Sequence, residues 1–250
     1  MSNRLYRSFQ ALILLALCLF FAGKLANGQL TYYINLRFIP LTLVGIIFFA
    51  ILAQVLFSEI RRSRRQEHED ETDHDHSHEH EPSKANLWFM IVPLLIGVLI
   101  PARPLDSSAF TTKGFNTTGP LVSSNSTAKL FDTASENRNI LDWIKIFNYE
   151  TDITQYLGQK ASVIGFVYRD EQLTESQFYV SRFVISCCAA DAFSLGMIVN
   201  WQDASKLKND SWVLVKGPLS STRLHDQTVP VVDAVSVEIV PVPEQPYLYP

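Results

Sequence analysis

Three cysteines in 250 residues are too few and too poorly spaced for a disulfide framework: Cys18 lies inside an apolar run, and Cys187 and Cys188 are adjacent. No basic stripe interleaved with aromatics is present, and a formal net charge of −4 gives no reason to expect a nucleic-acid partner. Catalytic signatures are missing too. There is no G-x-S-x-G, no H-E-x-x-H and no glycine loop to cradle phosphates. His225 is the one histidine of the C-terminal half, so imidazole acid–base chemistry there would rest on a single side chain. The chain is therefore expected not to be an enzyme.

What the sequence does have is unevenly placed. Apolar residues crowd the first hundred positions. Ala11 to Ala22 is an unbroken apolar run, extendable to residues 9–26 if Lys24 snorkels. Arg4 and Arg7 before it also fit a cleaved signal peptide, but a second apolar segment follows instead of a soluble domain. That segment, residues 38–57, carries no charge over about the 20 residues a hydrocarbon core requires. Arg61, Arg62, Arg64 and Arg65 stop it. A third, shorter run at residues 87–101 has Trp88 as an interfacial anchor and ends at Pro101 and Pro104; a buried soluble helix is the competing reading. Three spans in a membrane region of residues 1–105 are expected. Arg4, Arg7 and the second arginine cluster then face the cytoplasm, and the C-terminal domain lies outside an inner (plasma) membrane.

Residues 106–136 are rich in Ser, Thr, Asn and Gly and read as a polar linker. Asn116 and Asn125 begin glycosylation triplets, a pattern short enough to arise by chance. Residues 137–250 read as a soluble β-domain. Ile140, Trp143, Ile144 and Phe147 fall at helical spacing. Strands are expected at Ala161–Tyr168, Phe178–Cys188, Met197–Trp201, Ser211–Lys216 and Ala234–Ile239, the last with Val235, Val237 and Ile239 on a buried face. One short helix with five short strands suits a small all-β domain, an OB-like, partly open barrel; another small antiparallel domain is the runner-up.

Two stretches could carry chemistry. In the loop at residues 67–81, His68, His74, His76, His78 and His80 alternate with carboxylates. Such tracts suit Zn or another divalent transition metal, although no fixed ligand spacing is imposed and a solvated acidic linker is the plain alternative. The second stretch runs from Arg182 through Cys187 and Cys188 to Asp191. In a regular strand the two thiols point to opposite faces, so they cannot both fill the core without a local break. A disulfide between them would be strained, because neighbouring Cα atoms lie about 3.8 Å apart against a usual disulfide range of about 4.4–6.8 Å. An inert buried pair, a zinc site with Asp191 and His225, and a redox switch all remain open.

Arg182-Phe183, Cys187-Cys188 and Ala190-Asp191-Ala192 form an R-F-x-x-x-C-C-x-A-D-A stretch. Gly165-Phe166-Val167, Trp212, Gly217, the segment 101–114 and the closing Pro246-Tyr247-Leu248-Tyr249 accompany it. The combination resembles a bacterial permease-subunit family with a short helical membrane region and a C-terminal β-domain. The resemblance implies a polytopic membrane permease as partner and a tie to metal homeostasis, and with no catalytic signature present the chain is expected to be a non-enzymatic accessory subunit of such a permease, linked to a divalent transition metal. A membrane-tethered binding module without metal, and an extracytoplasmic thiol redox protein, are the rival functions.

Overall fold

A computed structural model describes residues 3–66, 84–116, 133–150, 152–224 and 227–250. The histidine loop at 67–81, with His68, His74, His76, His78 and His80, lies outside the described residues, as do His225 and Asn125. The chain divides into two compact units: Met1–Leu30 with Leu36–Arg103, and Thr31–Asn35 with Pro104–Pro250.

The first unit is helical. Apolar sequences of this length form helices because a helix satisfies its own backbone groups without water. Helices α1 (Asn3–Ala26) and α2 (Ile39–Gln66) are both long and apolar enough to cross a bilayer. Helix α3 (Lys84–Leu99) is shorter, apolar over Trp88–Leu99, with Pro93 inside it. Large side chains point away from the unit: Leu19 is 64 %, Leu41 67 % and Phe89 80 % exposed. That is the reverse of a water-soluble core and fits a hydrocarbon surround. Buried Ala11 and Ala53 are the small residues that let α1 and α2 approach closely. The two run antiparallel, since Arg7 near the start of α1 meets Glu59 near the end of α2 at 3.6 Å. A Cβ added at Gly97 of α3 would come within 2.8 Å of the Phe20 ring, so glycine is what admits that ring.

The second unit is a β-barrel of the OB-like, partly open kind with a short helix. Its strands are β1 (Phe115–Asn116), β2 (Lys160–Tyr168), β3 (Gln177–Val184), β4 (Phe193–Asn200), β5 (Trp212–Leu224), β6 (Gln227–Asp233) and β7 (Ser236–Ile239). Strand β2 pairs antiparallel with β3 and with the first half of β5. Strand β3 pairs with β4, and the second half of β5 pairs with β6. A single parallel contact between β4 and β6, Ile198 to Val231 through Asn200 to Asp233, joins the two ends of this path into a ring. Closure brings backbones very close at two glycines. A Cβ at Gly165 would sit 2.6 Å from the Ser181 carbonyl oxygen, and one at Gly217 only 2.1 Å from that of Asp233.

Alternate residues fill the ring: Val163, Val180, Met197, Val199, Val213, Val215 and Val232 are buried in one cluster. Helix α5 (Ile140–Tyr149) adds Ile140, Trp143, Ile144 and Phe147 to it, the face its spacing predicts. The helix starts where Asn139 accepts from the N–H groups of Leu141 and Asp142, while the Asp142 carboxylate accepts from Asn139 N–H.

Three expectations need amendment. Part of the segment read as a linker is packed: after the one-turn helix α4 (Phe110–Lys113) opens at Phe110, that ring is buried 4.6 Å from Tyr168 and 5.4 Å from Phe183, centre to centre. One phenylalanine among polar residues has no period, yet it completes an aromatic cluster with Phe166 and Trp212. The second half of β5 and all of β6 were not expected, because Pro230 and a run of serines depress strand propensity there. Finally, Val235 and Ile239 are 76 % and 74 % exposed, so the alternation at the end of the chain does not mark a buried face. Strand β7 pairs with β5 and prolongs the line of β6, without adding a wall to the ring.

Candidate functional site

Strand β3 stops at Val184, four residues short of the end expected at Cys188. Ile185 N–H donates to the Leu248 carbonyl at 3.0 Å, and Leu248 N–H donates to Phe183 at 2.9 Å. Residues near 248 therefore take the place of the next strand partner, and the chain bends through Ser186 and Cys187. A 3-10 turn at Ala189–Asp191 follows before β4 begins.

The bend is held by one carboxylate. Asp191 Oδ2 accepts the Cys187 N–H at 2.7 Å and Oδ1 accepts the Cys188 N–H at 3.2 Å. Burial pushes the Asp191 carboxyl up, but the backbone N–H groups of Cys187, Cys188 and Ser186 and the Cys187 thiol together hold it below its ordinary value. The bend is the local break that puts both thiols on one side: Cys187 Sγ and Cys188 Sγ are 3.8 Å apart. Both are free cysteines, Cys187 exposed and Cys188 half-buried. The reading of an inert, buried pair does not hold for a thiol in that position. Two sulfurs and a carboxylate oxygen of Asp191 all lie within 4.8 Å of one another.

A second chain segment closes over the bend. Asn35 N–H donates to the Cys187 carbonyl at 3.0 Å, and Ala189 N–H donates to Tyr33 at 2.8 Å, so Ile34 and Cys188 face each other as an antiparallel bridge. The Asn35 side-chain amide donates to the Ser186 carbonyl at 2.9 Å. Nothing in the sequence signals this partner, because Asn35 lies 151 positions before Ser186.

Arg182 has a structural duty. Its guanidinium donates to the carbonyls of Pro246 and Gln245 and lies 5.6 Å from the centre of the Trp212 ring. Burial lowers its pKa to about 10, still a cation at neutral pH. Tyr247, held by that tail, donates its hydroxyl proton to the Tyr32 carbonyl at 3.1 Å and accepts from Leu105 N–H at 2.9 Å. The conspicuous motif is thus mostly architecture around a juncture. A separate open groove of about 820 Å³ is lined by Glu136, Lys160, Lys216, Gly217 and Val235 and includes no residue of the Arg182–Ala192 stretch.

Comparison with known proteins gives the chain a family context. The DUF1980 N-terminal domain matches residues 9–116 and the DUF1980 C-terminal domain matches residues 123–250. "UPF0703 protein YcgQ" of Bacillus subtilis (strain 168) is 31 % identical over 96 % of this chain and 99 % of its own length. A Streptococcus mutans protein named "Putative two-component membrane permease complex subunit" is 24 % identical over 89 % of this chain and 92 % of its own length. Among solved structures, a small single-stranded DNA-binding protein from Streptomyces coelicolor covers 32 % of this chain and 91 % of its own, at 17 % identity and a TM-score of 0.22. That likeness is too slight to carry an argument.

Proposed function

This chain belongs to the DUF1980 family, and from that premise we propose that it is a non-enzymatic accessory subunit of a membrane permease, linked to the handling of divalent transition metals. The observation that carries the reading is the relative named as a permease complex subunit, matched along nearly its whole length. The helical unit supports an accessory role. Intramembrane charges mark ion pathways, and residues 8–23 of α1 and 39–58 of α2 hold no charged residue.

Connectivity supports three crossings. Thr31–Asn35, between α1 and α2, is part of the β-domain unit, and so is everything from Pro104 onward. If α2 carries the chain across the bilayer, α3 must bring it back. By their charge, the arginines at the end of α2 belong in the cytoplasm. The metal link draws on the histidine composition of residues 67–81 and on the sulfur–carboxylate cluster of the β-domain.

Affinity purification of the tagged chain from native membranes, after cross-linking, tests the subunit role. The expected outcome is reproducible recovery of one polytopic permease. Recovery of the chain alone, repeatedly and under mild detergent, would rule the reading out.

A further inference from the structure

Thiolate sulfur binds a tetrahedral zinc-type ion at about 2.3 Å, so two sulfurs sharing one such ion are about 3.8 Å apart. Cys187 and Cys188 already stand at 3.8 Å. The Asp191 carboxylate faces the same space, with every ligand atom within 4.8 Å of the others. We propose that Cys187, Cys188 and Asp191 form a three-ligand site for a thiophilic divalent cation, with its fourth coordination position left open. This deepens the metal-linked reading above and rests on it for the presence of such an ion.

The donor set argues for exchange over permanent storage. Structural zinc sites are closed by four protein ligands, whereas sites that act on or pass on a ligand keep one position free. Here no fourth His, Cys, Asp or Glu joins the three among the described residues. Cys187 and Asp191 are exposed and Cys188 is half-buried, so the three ligands stand at the protein surface. Two thiolates and a carboxylate select soft or borderline ions over Mg²⁺ and Ca²⁺, which prefer all-oxygen sets.

The surroundings supply the orienting shell that metal ligands require. Backbone N–H groups of Cys187 and Cys188 fix the Asp191 carboxylate, and Asn35 fixes the carbonyls of Ser186 and Cys187. Adjacent cysteines in extended chain would diverge; the hydrogen-bonded bend makes them converge. The open position then suits a donor atom from a second protein or from a small carrier of the ion. An ion held by three groups at an open edge is released by stepwise ligand substitution, without unfolding the site.

The test uses the full-length protein in detergent, with His68, His74, His76, His78 and His80 replaced by alanine so that the loop does not compete. Cobalt(II) is the probe, because its spectrum reports both thiolate bonds and tetrahedral geometry. Expected are one cobalt per chain, a sulfur-to-metal charge-transfer band, and a shift of the visible bands when azide or imidazole enters the open position. Cys187→Ser or Cys188→Ser should each weaken binding at least about 100-fold, at or above the roughly 10–100-fold typical of an outer-shell loss. Unchanged circular dichroism in both variants would show that ligation, not folding, was lost.

Absence of cobalt, cobalt without the sulfur band, or a spectrum indifferent to azide and imidazole would each overturn the site as proposed. Permease recovery from the same variants is measured separately. A cobalt site without a permease leaves this inference standing and defeats the subunit reading; a permease without a cobalt site does the reverse.

Discussion

At Asp191 a carboxylate accepts the backbone N–H groups of two cysteines while also facing the thiol of one of them. The hydrogen bond from the Cys187 thiol to that carboxylate, followed by its contact with Cys188 and the nearby negative charge, pushes the thiol from 9.0 to about 11. The sign is that of an acid held in its protonated form, so the nucleophilic thiolate is scarce at neutral pH. Alkylation of Cys187 in metal-free protein, followed by mass spectrometry across a pH series, should reach half its maximal rate near pH 11. A half-rise at pH 9 or below would mean that the thiol does not engage Asp191. At this scale the sequence was informative about identity and less so about geometry. Cys187, Cys188 and Asp191 were recognisable as a group, but strand alternation argued against convergence, and the bend depends on partners far away in the chain. Arg182 shows the complementary case: a charged residue in a marked motif that holds a tail.

Among the elements, the segment between α1 and α2 is the one whose role composition does not reveal. Ile34 faces Cys188 in an antiparallel bridge whose flanking hydrogen bonds run from Asn35 and Ala189. Such a non-hydrogen-bonded pair places Cα atoms about 4.5 Å apart, within the usual disulfide range of about 4.4–6.8 Å. Ile34→Cys, made together with Cys187→Ser, should therefore form a disulfide with Cys188 under mild oxidation. Thiol counting and a non-reducing mass map read the result. Persistence of both free thiols would separate the two segments. The elements that were legible are those whose pattern is local: α5 through its spacing, and β2 through β4 through dense β-branched and aromatic runs. Strand β6 was hidden because Pro230 sits opposite Ser221 inside a ladder, where only tertiary pairing supports it. The aromatic cluster around Phe110 was hidden for the same reason.

For the molecule as a whole, the assignment of Thr31–Asn35 and Pro104–Pro250 to one unit makes membrane sidedness testable. In a chain with Cys18, Cys187 and Cys188 changed to serine, Ser77→Cys and Lys208→Cys are labelled separately with an impermeant maleimide on intact cells. Labelling of Lys208→Cys and protection of Ser77→Cys is the expected outcome. Labelling of both, or protection of both, would exclude three crossings. The tie from Tyr247 to Tyr32 spans 215 positions. At roughly 5–20 residues per second, synthesis leaves the segment between α1 and α2 waiting on the order of 10–40 seconds for the residues that fasten it. The cysteine bend can be clasped from both sides only after that interval, so assembly of the juncture is set by the ribosome's clock, and a chaperone or membrane insertase has that window in which to hold the nascent chain.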